Sequence, residues 1–146
     1  MDRVLFTEKS SYAFLMKNDM KNTTEIGRYG EIACCEYLRN KKFKILEQNY
    51  YASHNEIDII AENKQYIIFV EVKTRSCSRD SSFEFGTPAS AVTYSKQKRT
   101  LMAAQTYLTQ HPSKKTPRID VIEVYLDRNN PLNIMKINHI EDAFGN

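Results

Sequence analysis

Two carboxylates and a lysine interrupt the most apolar part of the chain. Asp58 lies in Ile57-Asp58-Ile59-Ile60, and Glu71 and Lys73 lie in Phe69-Val70-Glu71-Val72-Lys73. In an extended segment alternate side chains share a face, so Glu71 and Lys73 project together while Val72 points away. Acids inside apolar strands are costly unless they are paired, reach water at a strand end, or bind a metal. A hard divalent cation such as Mg²⁺ or Mn²⁺ takes oxygen ligands, often one or two carboxylates completed by water and substrate phosphate. Asp58 and Glu71 supply such ligands, and the carbonyl of Val72 is a candidate third. Lys73 could orient an attacking water and offset charge on a phosphate, while the metal lowers the pKa of that water. The same spacing also allows a plain ion pair between Glu71 and Lys73, with Asp58 capping a turn or pairing with Arg75. Spacing alone does not choose between these readings.

The elements that must hold these residues are legible from periodicity. Ile26, Tyr29, Ala33, Cys34, Tyr37 and Leu38 recur at helical spacing and predict a helix over 24–41. Phe43–Tyr50 and Glu56–Ala61 read as strands separated by the turn-prone Ser53-His54-Asn55. Tyr66–Thr74 is apolar on both faces and so predicts a central strand covered on two sides. A polar loop follows from Cys77 to Gly86, and Thr87-Pro88 resembles a helix start. A helix over Tyr94–Gln110 places Leu101, Ala104, Tyr107 and Leu108 on its buried stripe. Pro112 and Pro117 bound a loop before a strand over Ile119–Leu126, and Leu132–Ile140 gives a last strand.

The chain of 146 residues fits one domain with a real core, and a hydrophobic share of 41% excludes a disordered composition. Four Gly and four Pro argue against a loop-dominated protein, and a net charge of +3 is too small to imply a nucleic-acid partner by itself. Three cysteines, two of them adjacent, make neither a disulfide framework nor a zinc motif. No stretch approaches the roughly 18 apolar residues of a membrane span. These features predict a cytoplasmic protein without a membrane partner. Residues 1–23 read as an N-terminal extension, and 24–146 as the domain.

Gly27-Arg28-Tyr29-Gly30-Glu31, Asn55–Ala61, Phe69–Arg75 and Arg118–Val124, in this order, together resemble the YraN-type family. That family consists of small bacterial endonuclease-like proteins, distantly similar to archaeal Holliday-junction resolvases in the PD-(D/E)xK superfamily. Phe85–Val92, Lys96, Ala104–Leu108 and His139–Phe144 extend the match. The resemblance implies an α/β fold with a restriction-endonuclease-like three-layer core, its central mixed β-sheet flanked by helices. It also implies that Glu31 joins Asp58, Glu71 and Lys73 as a catalytic residue. Where the family usually has Gly, this chain has Asn55, a residue that tolerates positive φ and so could preserve a turn.

Charge distribution adds a candidate surface. Between Phe85 and Ile119 there is no Asp or Glu, while Lys96, Lys98 and Arg99 are predicted to project from the second helix away from its buried stripe. With Arg75 they form a candidate DNA-contacting set, although a charged run is also what a solvated helix face looks like. Asp120 is read as structural and Glu56 as ambiguous. His54, beside the acidic cluster, could act as acid or base near a phosphate but reads more simply as a solvated turn histidine. His111 and His139 show no partner spacing. The expectation is a metal-dependent endonuclease acting on DNA, at branched or single-stranded structures, and working as a homodimer. The alternative is a nucleic-acid-binding accessory protein that keeps the fold without cleavage.

Overall fold

The computed structural model describes residues 23–78 and 92–144. Residues 1–22 of the expected N-terminal extension therefore lie outside the described residues, as do Thr87-Pro88 and nearly all of the Phe85–Val92 motif, whereas Thr23 already belongs to the first helix. The elements are α1 (Thr23–Asn40), β1 (Lys44–Ala52), β2 (Asn55–Glu62), β3 (Tyr66–Cys77), α2 (Tyr94–Gln110), β4 (Thr116–Asp127) and β5 (Ile134–Ile140). The strands form one sheet in the order β1-β2-β3-β4-β5. Every neighbouring pair is antiparallel except β3 and β4, which run parallel from Tyr66↔Thr116 to Cys77↔Asp127. A parallel pair needs a crossover, and α2 lies within it.

Each helix covers one face of the sheet. Tyr29, Ala33, Cys34 and Leu38 of α1 pack on Ile59, Ala61, Ile68, Val70, Ile122 and Val124. On the other face Ala103, Ala104 and Tyr107 of α2 pack on Ile57, Ile60, Ile67, Phe69 and Ile119. β3 is thus buried from both sides, as its unbroken apolar run predicts, and the architecture is the expected three-layer α/β core with a mixed sheet. Thr93 caps α2 by accepting from the Lys96 N–H at 3.2 Å.

Several local expectations are corrected. Leu101 is 44% exposed rather than buried. It lines an open groove of about 310 Å³ with Leu108, Phe69 and Phe144, and Thr100 and Ala103 take the buried stripe. Pro117 lies in β4 rather than in the preceding loop, near the strand's start where a missing N–H is tolerated. Cys77 ends β3 instead of opening the loop. The turn between β1 and β2 does not use Asn55. Ser53 and His54 carry the positive φ values, 49° and 68°, which is the pair a tight hairpin turn requires. Asn55 instead begins β2, buried.

Candidate active site

The site forms where two strands separate. The ladder between β2 and β3 runs from Glu62↔Ile67 to Ile59↔Val70 and stops there. One register step further, Asp58 and Glu71 stand opposite each other across the opening. The Asp58 side chain fills part of the gap, its Oδ2 accepting the Val72 N–H at 2.8 Å. A carboxylate thus takes the place of a main-chain acceptor, which satisfies an amide that would otherwise lose its partner. Glu71 is 7% exposed.

The first helix brings a third acid. Gly30 of α1 faces β3 so closely that a Cβ there would overlap Thr74 Oγ1. A glycine is needed for this approach, and the next residue in the helix is Glu31. Burial, then the charges of Asp58 and Glu56, push the Glu31 carboxyl up to about 7, against a hydrogen bond with Asn49 and the charge of Arg28. Asp58 is likewise pushed up to about 7, first by burial and next by the charge of Glu71, with the Val72 N–H opposing. Acids from α1, β2 and β3 therefore share one electrostatic environment.

Two lysines bracket Glu71. Lys73 Nζ lies 3.7 Å from Oε1, and Lys96 Nζ lies 3.6 Å from Oε2. Lys96 reaches down from the first turn of α2 and also approaches the Glu56 carbonyl at 3.5 Å. Glu71 Oε2 is buried and has no hydrogen bond among the described residues. A buried, unbonded carboxylate oxygen is costly, and it is an apt ligand for a hard cation. Asp58, Glu71 and the Val72 carbonyl could hold such an ion. Among the described residues no three His, Cys, Asp or Glu side chains gather closely enough to hold a metal on their own. Two carboxylates completed by water and phosphate oxygens suit Mg²⁺ or Mn²⁺ rather than a closed structural site.

Comparison with known proteins bears on the same segment. The model of the Uncharacterised protein family UPF0102 matches residues 30–124, well over half of the chain and including Glu31, Asp58, Glu71 and Lys73. The chain belongs to this family. UPF0102 is the YraN-type family that its motifs resemble. A UPF0102 protein of Caldanaerobacter subterraneus subsp. tengcongensis is 43% identical over 124 residues, covering 84% of this chain and 97% of the relative. One from Chlorobium chlorochromatii is 41% identical over 129 residues, 87% of this chain and 96% of the relative. Another from Clostridioides difficile is 43% identical over 124 residues, 84% of this chain and 99% of the relative.

Other sequence candidates fall differently in this UPF0102 structure. Lys96 does not project outward with Lys98 and Arg99, but turns into the acidic site as described. Lys98 and Arg99 are exposed, with the Lys98 ammonium 4.9 Å from the centre of the Tyr94 ring. Arg75 does not pair with Asp58; its Nε donates to Glu123 Oε2 at 2.7 Å. Asp120 is structural as read, but His139 does have partners. Its Nε2 lies 2.7 Å from Asp120 Oδ2 and its Nδ1 3.1 Å from the Tyr37 hydroxyl. Arg118 and the Asp142 N–H also donate to Asp120. Burial would raise the Asp120 carboxyl, but these bonds outweigh it and hold it below its ordinary value. Glu123, buried and bonded to Arg75, Tyr125 and Asn138, is a further polar residue that sequence reasoning passed over. An acid in the alternating pattern of β4 looks like a solvent-facing position when its covering neighbours are unknown.

No helix among the described residues is long and apolar enough to cross a membrane.

Proposed function

We propose that this protein is a metal-dependent endonuclease that hydrolyses DNA phosphodiester bonds, with Glu31, Asp58, Glu71 and Lys73 as its catalytic residues. The observation that carries this reading is the opening between β2 and β3. There two opposed carboxylates, an unbonded Glu71 Oε2 and the Lys73 ammonium meet in one place. Asp58, Glu71 and the Val72 carbonyl would hold Mg²⁺ or Mn²⁺, and the ion when bound would acidify a water and offset negative charge on the phosphate.

The chain's own groups divide the remaining work. Lys73 is partly exposed beside Glu71, where its ammonium can hydrogen-bond the attacking water and a non-bridging phosphate oxygen. Glu31, with its carboxyl raised to about 7, can take a proton from that water near neutral pH. The water oxygen bonds to phosphorus as the bond to the leaving oxygen breaks, and the leaving oxygen is protonated from solvent. Lys98, with Tyr94 beside it, and Arg99 supply an exposed basic patch for the DNA backbone. Symmetric cutting of two strands would call for two sites, hence a homodimer.

A second reading has one observation in its favour. Lys73 and Lys96 already balance Glu71, one on each oxygen, as they would in a binding domain that never turns over. Cleavage of duplex, single-stranded, flap and four-way-junction DNA, with Mg²⁺, with Mn²⁺ and with chelator, separates the two. Metal-dependent cutting that is lost in both Asp58→Ala and Glu71→Ala supports the nuclease. DNA binding without metal-dependent cutting on any substrate leaves the accessory-protein reading.

A further inference from the structure

The Glu71 face of β3 continues past the acidic opening. Glu71, Lys73 and Arg75 alternate along it, and Lys73 and Arg75 stand beside Glu123 and Tyr125 of β4. Asn138 of β5 lies beside Glu123 in turn. Three donors converge on that one carboxylate. Glu123 Oε2 accepts from Arg75 Nε at 2.7 Å and from the Tyr125 hydroxyl at 3.2 Å, and Oε1 accepts from Asn138 Nδ2 at 3.0 Å. Glu123 is only 2% exposed, whereas the Arg75 side chain is 39% exposed. The carboxylate is therefore a fixed anchor, and the arginine reaches from it toward water.

The way Arg75 is held is informative. An arginine that merely neutralises a buried acid usually does so through two nitrogens in a fork. Here the charge-assisted bond uses Nε, and neither Nη atom has a hydrogen bond among the described residues. Nε anchoring orients the guanidinium and leaves its outer edge, with one N–H from each Nη, open to an anion. Arg75 lies two residues beyond Lys73 on the same face, roughly 7 Å along the strand. A phosphate next to the one under attack would meet it.

We infer that Glu123 is a positioning residue, clamped by Tyr125 and Asn138, that holds Arg75 as a bidentate receptor for a DNA phosphate flanking the scissile one. This rests on the nuclease reading for the identity of the anion, but it makes separate demands. The side-chain amide of Glu123→Gln keeps an oxygen acceptor for Nε, whereas Glu123→Ala frees the guanidinium. Arg75→Lys keeps the charge and loses the fork.

The test is binding of a fluorescently labelled DNA duplex, measured in chelator and in Ca²⁺ over a range of salt. Arg75→Gln is expected to bind several-fold to tenfold more weakly, with a salt slope flatter by about 0.9, the loss of one phosphate contact. Arg75→Lys should keep the wild-type slope while losing affinity. Glu123→Ala should match Arg75→Gln, Glu123→Gln should recover most of the loss, and the Arg75→Gln/Glu123→Ala pair should be no worse than Arg75→Gln alone. If Glu123→Ala does not fold, Tyr125→Phe with Asn138→Ala loosens the clamp instead, and its loss should likewise vanish in the Arg75→Gln background. Wild-type affinity and slope in Arg75→Gln overturn the inference, as does full additivity of the two single losses. So does a wild-type protein that binds no duplex in either condition. If these couplings hold and no substrate is cut, the phosphate receptor stands and the nuclease reading alone fails.

Discussion

Lys96 Nζ stands 3.6 Å from Glu71 Oε2, on the carboxylate oxygen that Lys73 does not hold. A helix lysine thus occupies the place where a cation would meet the most poorly bonded oxygen of the site. Lys96 and a divalent ion then compete for one atom. Lys96→Met should tighten Mn²⁺ binding several-fold by titration calorimetry, and should lower the stability of the metal-free protein, which loses a partner for its acids. Weaker Mn²⁺ binding in the variant would show that Lys96 supports the metal site rather than standing in for the ion.

Lys73 makes the opposite demand. Its proposed contribution lies in the transition state, so its removal should lower turnover while leaving ground-state affinity nearly intact. Lys73→Met keeps much of the side chain's length without the charge. Single-turnover cleavage should fall on the order of 10²-fold or more, the scale of one lost electrostatic donor, with DNA binding changed only a few-fold. A variant that cuts at the wild-type rate would move the chemistry to another site.

Asp58 and Glu31 set a pH dependence of stability. Burial, reinforced by neighbouring charge, lifts both carboxyls to about 7, so the folded metal-free protein retains protons that the unfolded chain releases near pH 4. Their stabilising contribution is full below about pH 4 and is lost as pH rises through about 7. Asp58→Asn should remove part of this slope and Glu31→Gln/Asp58→Asn most of it. The metal-free variants should gain roughly 1–3 kcal/mol at pH 8, after allowance for water that reaches these partly buried groups. Urea unfolding at pH 5 and pH 8 in chelator measures this. Parallel pH profiles for wild type and the double variant would contradict it.

Gly30 gives a test of how the first helix is set against the sheet. Gly30→Ala forces a methyl onto the Thr74 side chain, and an overpacked contact of this kind costs about 1–3 kcal/mol. Thr74→Ala removes the overlapping hydroxyl, so the Gly30→Ala/Thr74→Ala pair should recover part of that stability. Because Glu31 follows Gly30, Gly30→Ala should also weaken whatever Glu31 contributes to cleavage. Thermal unfolding of the four proteins would show additivity instead if the two positions did not touch.

The layers were legible because periodicity reports burial directly. The apolar run around Phe69 required cover on both faces, and the helical repeat from Ile26 to Leu38 supplied one cover. The pairing of Asp58 with the middle of β3 is legible in the sequence only as two acids in neighbouring strands. What joins them is the stopping point of a ladder, which depends on where β2 and β3 part. Lys96 was misread because helical spacing gives the angle of a side chain but not how far a long one reaches across to another layer. His139 looked partnerless because Asp120 and Tyr37 are 19 and 102 residues away. Asn55 shows the reverse error: its tolerance for positive φ is real, but Ser53 and His54 make the turn.

The order of the strands in the sheet also carries a kinetic consequence. β1, β2 and β3 form a meander closed by short turns, whereas β3 can meet β4 only after the chain passes through α2. Closing the longer loop costs more entropy, and contacts between distant residues form late. Asp58 and Glu71 belong to the meander, so this opposed pair of carboxylates is expected to gather early. Lys96, Arg118 and Glu123 would arrive with the second half of the chain. Mutations in β2, such as Ile59→Val, should then slow refolding, while Val124→Ala in β4 should mainly speed unfolding. Until α2 docks and brings Lys96 to Glu71, the nascent sheet carries its acids without that counter-charge.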